Sequence, residues 1–379
     1  MKMKDFKLER YFAQHEFTAK YLLSSSDCDG FEQNYVLDLA SAQELKMWND
    51  IKLGYTESAG NPILRESITQ FYNTNNIEEV VVGSPGELNY ICMKVLLEKK
   101  DHVVAVAPAY QSLHEVVHSI GCEISYWKPN ENWEFDPNQL EHLVRENTKL
   151  IIINFPHNPT GSYLTLSELT KIVSIAKKND CYIFSDEMYH KLLANPDAEL
   201  PPISDLYSKG ISLWGTSKSF GLAGLRTGWL VCNDLDLIHR VISYKDYLSI
   251  CSSAPSEILS IIALNHIDDF LQPNIDKIQK NIKFFGEFAQ AQDIISSFIP
   301  PKSGSTAFVE LNINCSSLEF SNYLVKNAGI MTIPSEMFDH PGKYIRVGFG
   351  RQNFHEILPL LKDFIEENKS LLMNNVTLK

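Results

Sequence analysis

Seven short apolar runs, separated by stretches of helical spacing, constrain this chain more than any other feature. They lie at 79–82, 102–107, 123–126, 150–155, 182–185, 211–214 and 229–232. Most are near-continuous rather than alternating, which is the pattern of strands covered on both faces. Segments 86–98, 110–120, 137–146 and 165–178 are long enough for crossover helices between them. Alternation of this length predicts a mostly parallel, doubly wound, seven-stranded sheet in an α/β domain. Ligands of such sheets sit beyond the carboxyl ends of the strands.

A chain of 379 residues exceeds one ordinary core, so a second unit is expected. Residues 41–285 are assigned to the large domain, with helices at 37–49 and 63–73 leading into it. Residues 234–288 carry two or three long helical patterns, one of them bridging to the second unit. Residues 286–379 read as a small α/β domain: strand 306–311, helix 317–328, short strand 330–333, strand 344–349 and helix 354–368. Residues 1–40 form an N-terminal arm packing on it, with a short helix and then a hydroxyl-rich loop.

Charge and composition remove several classes of partner. A net charge of −13 without a Lys/Arg-rich run argues against nucleic acid and anionic membrane surfaces. No apolar stretch approaches the ~20 residues of a membrane span, and residues 1–6 lack the apolar core of a signal peptide. Cysteines 28, 92, 122, 181, 232, 251 and 315 stand singly, with no Cys-x-x-Cys spacing. That suits a reducing, cytoplasmic setting without a disulfide frame or metal site.

The chemistry concentrates in 214–228, where Lys218 lies among small, hydroxylic and apolar residues with Arg226 following. Lysine is suited to Schiff-base chemistry once its amine can lose a proton near neutral pH. Burial and a neighbouring cation both lower its pKa. Alone, Lys218 reads equally as a basic residue on a surface turn.

Other polar residues fall at the ends of the predicted strands. Asp186 closes the run at 182–185. A carboxylate there can hold a pyridine nitrogen protonated, which makes the ring an electron sink; its plainer role is a helix cap. Tyr189 follows one turn on, and Asn158 sits in a Pro-stiffened turn, His157-Asn158-Pro159-Thr160-Gly161. Each can donate a hydrogen bond to a phenolate oxygen, although a turn by itself explains Asn-Pro-Thr-Gly. Ser84, Gly86 and Glu87 open a helix, and a helix N-terminus is a phosphate site to which Ser217 and Arg226 add donors. Tyr110 stacks on a planar ring or packs in the core. Arg346 is a lone cation in an apolar strand, and it needs a substrate carboxylate or an internal one.

In this order, and above all in 157–161, Ser185-Asp186-Glu187-Met188-Tyr189, and Ser217-Lys218 with Arg226, the chain resembles fold-type I pyridoxal-phosphate enzymes. The family is the class I/II aminotransferases, aspartate aminotransferase-like, and the likeness runs from about residue 55 to the C-terminus. It implies pyridoxal 5'-phosphate as cofactor, with Lys218 carrying it as an internal aldimine and moving the substrate proton. Asp186 would meet the pyridine nitrogen, Asn158 and Tyr189 the ring oxygen, and Tyr110 the ring face. Ser84, Gly86, Glu87, Ser217 and Arg226 would hold the phosphate. Arg346 would bind the substrate carboxylate, with Ser25 and Asn158 beside the substrate. Tyr55 resembles the tyrosine that reaches the neighbouring subunit's phosphate, which implies a homodimer with shared sites.

The expected reaction is transamination between an amino acid and a 2-oxo acid. A lyase or cyclase working by β- or γ-elimination is the alternative. It is kept open by the serine-rich loop 24–28, which is similar to one in the capreomycidine synthase-like branch. A non-catalytic regulator that binds the cofactor is the remote one. Two positions depart from the family pattern: Pro85 removes a backbone donor from the phosphate turn, and Gly215 replaces a hydroxyl often found three residues before the lysine. Both shift weight to Ser217. Side-chain specificity is expected in loops 24–30, 54–58 and 334–341.

Overall fold

The computed structural model describes residues 2–74, 76–193 and 195–374. The seven apolar runs become the strands β1 (Val80–Gly83), β2 (His102–Val106), β3 (Glu123–Trp127), β4 (Thr148–Asn154), β5 (Tyr182–Asp186), β6 (Gly210–Gly215) and β7 (Gly228–Val231). They make one seven-stranded sheet in the order β1-β7-β6-β5-β4-β2-β3. Pairings from β3 through β6 are parallel, and β7 alone runs against both of its neighbours.

The continuous apolar pattern has its physical cause in two cores. Val81 and Leu230 pack on one face of the sheet, while Val80, Val82, Trp229 and Val231 pack on the other. With both faces covered, polar residues have no solvated side to occupy, so alternation disappears.

A second sheet is antiparallel. Its strands are β8 (Ile295–Ser297), β9 (Thr306–Leu311), β10 (Ile333–Pro334) and β11 (Tyr344–Gly348), in the order β10-β11-β9-β8. Helices Ser317–Ala328 and Phe354–Met373 supply Phe320, Leu324, Ile357 and Phe364 to its core. The predicted bridging helix is Ile267–Gln290, which places Phe270 in the large-sheet core and Ile278 and Phe285 in the small one.

The N-terminal segment is tied to the small sheet. Tyr21–Leu22 pairs in parallel with Ile330–Met331. Leu8 and Tyr11 of helix Lys7–His15 pack with Phe308, Ile333 and Phe338.

Three local expectations change. The helix expected at 37–49 is two helices, Gln33–Asp38 and Ala42–Asn49, because Ser41 and Glu44 form a reciprocal cap that starts the second. The run 330–333 divides at Thr332: one half pairs with Tyr21–Leu22 and the other with β11. Strand β8 was not expected, since its three partly exposed residues are too few to show a period. Among the described residues no helix is long and apolar enough to cross a membrane, and all seven cysteines are free thiols.

Candidate active site

Parallel strands end at one edge of a sheet, so residues far apart in the chain arrive there together. Beyond the carboxyl ends of β4, β5 and β6 lies a cavity of about 500 Å³. Asn154 and Asp186 are the last residues of β4 and β5, and both line it. Asn158, Tyr189, Ser217, Lys218 and Arg226 enter from the following loops, and Gly86 and Tyr110 from the starts of two crossovers. Arg346 of β11, with Ser26, Asp27 and the helix residues Leu8, Glu9, Phe12 and Glu16, closes the opposite side.

The Lys218 amine donates to Ser26 Oγ at 2.9 Å. Burial lowers its pKa, with Asp27 opposing that shift and Arg346 adding to it. Asp186 is buried, which pushes its carboxyl up to about 6 against the Met188 amide (3.2 Å) and the charge of Lys218. A desolvated amine and a desolvated carboxylate therefore share one cavity, each held away from its ordinary protonation balance.

Asn154, which sequence reasoning passed over, organises the floor. Its Nδ2 donates to the Asp186 carbonyl at 2.9 Å, and its Oδ1 accepts from the Asn158 amide at 3.0 Å. The signal was its place as the one polar residue closing the apolar run of β4.

Arg346 is fully buried and makes three hydrogen bonds, all to neutral oxygens. Nε and Nη2 donate to the Ser24 carbonyl at 3.2 and 2.9 Å, and Nη1 donates to Asn158 Oδ1 at 3.2 Å. Its guanidinium also lies over the rings of Phe12 and Phe338, at 5.8 and 5.5 Å. The cation is thus positioned but not neutralised by a bonded carboxylate, as expected of a residue kept for an external anion.

At the other end, Arg226 adopts a left-handed backbone (φ 57°) and donates from Nη2 to Ser84 Oγ at 3.2 Å. Helix Pro85–Leu96 begins here, and a Cβ on Gly86 would meet nothing within 4 Å, so its backbone faces open space. The two departures in the phosphate turn prove to be coupled. Gly215 and Gly228 are register partners on β6 and β7. Pro85 sits over both: a Cβ on Gly228 would come 2.6 Å from Pro85 Cγ, and one on Gly215 would come 2.8 Å from the Gly228 Cα. The proline ring therefore fits only because both strands are bare beneath it.

Three further expected residues turn their side chains away from this cavity, which leaves the Glu87 amide as a phosphate donor and Tyr55 for a neighbouring subunit as expected from the sequence. The Glu87 carboxylate accepts from Ser249 N and Oγ at 3.2 and 3.0 Å and does not line the cavity. Ser25 accepts from Arg351 Nη2 at 3.1 Å, and its neighbours Ser26 and Asp27 face the cavity instead. Tyr55 is 88% exposed on the outer surface. Tyr110 lines the cavity, with its hydroxyl donating to Glu9 Oε1 at 2.7 Å.

Two buried hydroxyls in the cavity wall, Tyr189 Oη and Ser217 Oγ, have no well-formed hydrogen bond, although Ser26 and Ser305 lie beside the tyrosine. Burial pushes the Tyr189 phenol up to about 12. Unpaired buried donors are costly unless a ligand completes them. Beside Lys218 and Asp186, they are the donor set a phosphorylated pyridine aldehyde requires: an amine, an anion for the ring nitrogen, and hydroxyls for the ring oxygen and phosphate.

The chain is similar in sequence and fold to known proteins. The sequence profile "Aminotransferase class I and II" matches residues 18–356. Capreomycidine synthase of Streptomyces vinaceus is 26% identical over 356 residues, covering 90% of this chain and 88% of that protein. Aspartate aminotransferase of Sulfolobus acidocaldarius is 26% identical over 316 residues, or 78% of each. Among solved structures, a PLP-dependent aminotransferase from Streptococcus suis superimposes with a TM-score of 0.90 at 27% identity, covering 97% of this chain and 99% of that one. A PLP-dependent cyclase, OrfR, shares the fold with a TM-score of 0.89 at 23% identity, covering 97% and 98%.

Proposed function

The chain belongs to the class I and II aminotransferase family and is a pyridoxal-phosphate-dependent enzyme, and we propose that it moves an amino group from an amino acid to a 2-oxo acid at Lys218. The observation that carries this reading is the desolvated Lys218 amine facing Asp186 in one cavity with unpaired hydroxyls. When bound, the cofactor supplies an aldehyde for amines and a ring that accepts the electrons of a broken Cα–H bond.

The chain's own residues supply the rest. Lys218, with its pKa lowered, spends more time as a neutral amine and can take the proton from the substrate Cα and return it. Ser26 Oγ holds that amine in place. Arg346 presents its fork to the substrate carboxylate, which fixes the direction of the Cα–H bond. Asp186 favours a cationic ring nitrogen over a neutral one. Ser217, Arg226 and the start of helix Pro85–Leu96 bind the phosphate, with Ser84 steadying Arg226.

This reading keeps residues 41–285 as the cofactor domain and 286–379 with the arm 1–40 as the small one. It places the enzyme in the cytoplasm, in keeping with seven free thiols, and makes it a homodimer. Leu53, Tyr55 and Tyr247 are 83%, 88% and 89% exposed on loops joined by the hydrogen bond from Ser58 Oγ to the Ile250 carbonyl. Apolar side chains so exposed and so close favour cover by a second copy.

Elimination or cyclisation remains the second reading, favoured by the likeness to capreomycidine synthase. Excess amino acid should convert the bound cofactor to its amine form, whereas an unchanged spectrum with an unsaturated or cyclic product would select the second reading. Replacing Lys218→Ala should remove the lysine-linked absorbance band and lower kcat by at least about a thousandfold. Persistence of that band would refute the assignment of Lys218.

A further inference from the structure

A second cavity, of about 540 Å³, shares no lining residue with the active site. It is as roomy as the one that takes a phosphorylated pyridine and an amino acid together. Three parts of the chain meet around it. Helix Ser112–Ile120, β3 and the loop after it supply His114, Tyr126, Lys128 and Trp133. The segment leading into β11 supplies His340 and Tyr344, and the N-terminal segment supplies Lys4 and Lys7.

The walls are flat rings. Trp133, His340 and Tyr344 lie with their ring centres 5.2 to 5.4 Å apart, and His114 and Tyr126 form a second group at 5.9 Å. Two of these side chains are more than nine-tenths buried and still lack a partner. His114 and Trp133 are each 7% exposed, and no ring nitrogen of either makes a hydrogen bond among the described residues. Those nitrogens are reachable from the cavity rather than sealed in the core. Trp133 also holds a left-handed backbone, φ 60°, which is unfavourable for so bulky a residue. The Ser162 hydroxyl donates to its carbonyl, and its own amide donates to the Asn130 carbonyl at 3.1 Å. The strained turn is thus fixed with the indole against the cavity.

The free polar groups are mostly donors. Burial, aided by His118, lowers the His114 pKa to about 4, so near pH 7 its neutral ring offers one N–H. The Lys4 and Lys128 ammonium groups have no hydrogen-bond or ion-pair partner among the described residues. Of the carboxylates lining the cavity, Glu115 accepts the Lys4 amide at 2.9 Å and Asp339 pairs with Lys7, while Glu131 is solvent-exposed. Rings for stacking beside unused N–H and ammonium donors suit one kind of ligand. We propose that this cavity binds a planar aromatic molecule bearing an anionic group, and that its occupancy adjusts amino-acid binding.

The coupling has a structural route. Phe338 lines this cavity, and its ring lies 5.5 Å from the Arg346 guanidinium of the active site. The N-terminal segment touches both cavities, with Lys4 and Lys7 on one and Leu8 and Glu9 on the other. Gln111 fastens that segment: its Oε1 accepts from the Lys7 amide at 2.9 Å, and its Nε2 donates to the Asp5 carbonyl at 3.0 Å. A ligand touching His114, His340 and Lys4 holds all three parts together. The site itself is independent of the reading of Lys218, whereas the coupling rests on Arg346 as the partner of the substrate carboxylate.

The test is calorimetry on the holoenzyme. Adenosine 5'-monophosphate and 3-indolepropionate carry both ring and anion; adenosine carries the ring alone, and ribose 5-phosphate the anion alone. One of the first two should bind at least about tenfold tighter than either control, and the tighter one tells a nucleotide from an aromatic acid. Lys128→Glu, at an exposed position, should weaken that binding about tenfold, and His114→Leu by a similar factor. The saturating ligand should change KM for the amino acid about fivefold with little change in kcat.

Binding no tighter than the controls, or binding that survives both variants, overturns the site. A ligand that binds here and leaves KM unmoved overturns the coupling. Binding lost in Lys128→Glu supports the site even where the enzyme proves to release an unsaturated or cyclic product, so this inference and the transamination reading fail separately.

Discussion

Asp186 carries the clearest pH signature in the molecule. Its carboxyl titrates at about 6 instead of 3.8 because burial penalises the anion. A raised acid pKa destabilises the folded state where the group is ionised. The cofactor-free protein therefore loses stability as pH rises from about 4 through about 6, by a few kcal/mol at most. Asp186→Asn should make the cofactor-free protein more resistant to urea at pH 7 and leave it little changed at pH 4. The same variant should bind the cofactor more weakly, since the anion that matches the ring nitrogen is gone. Denaturation midpoints at both pH values, with and without cofactor, check both signs.

Arg346 gives a second prediction at this scale. Arg346→Lys keeps the charge but loses the fork, so KM for the amino acid should rise about tenfold or more. It also strips donors from the Ser24 carbonyl and Asn158 Oδ1, which should cost about 1–3 kcal/mol. A fall in Tm with unchanged KM would mean that the arginine only ties down the serine-rich loop. The identities of Lys218, Asp186 and Arg346 were legible because a charged residue stands out in an apolar run. Asn154 also closes an apolar run, but its role stayed hidden because its bond to the Asp186 carbonyl spans 32 residues.

At the scale of elements, the β6–β7 pair explains why this chain departs from its family's phosphate turn. Restoring a hydroxyl with Gly215→Ser adds a donor on paper, but its Cβ would come 2.8 Å from both the Gly228 Cα and the Thr227 carbonyl. The strands must separate, so the variant should lose about 2 kcal/mol or more and bind the cofactor less tightly. Thermal melting with and without cofactor measures both effects. A gain in affinity would show that the strands yield and that the missing hydroxyl was a real deficit. The sequence announced Pro85 and Gly215 as separate oddities. Only strand register reveals that the proline needs the glycine, because packing across a sheet follows pairing rather than distance along the chain.

Among the described residues, one group of exposed apolar side chains lies on loops tied to each other by a hydrogen bond. Leu53, Tyr55 and Tyr247 stand out on neighbouring loops, and a second copy is expected to bury them. Sedimentation should give twice the 43.1 kDa chain mass. Leu53→Asp with Tyr247→Asp should shift the species toward monomer and weaken cofactor retention about tenfold, if Tyr55 serves the partner's site. A monomer with undiminished affinity would separate assembly from cofactor binding.

By itself, the sequence determined the order of strands and helices, and hence a parallel sheet with a cavity at its carboxyl edge. Periodicity reports which faces are buried, and residues at strand ends inherit their place from that order. Tertiary structure alone decided the partners: Ser26 on Lys218 across 192 residues, the Ser24 carbonyl on Arg346 across 322, and an N-terminal helix as one wall of the cavity. Such contacts form only when separate elements pack against one another, and no local pattern encodes which surfaces will meet.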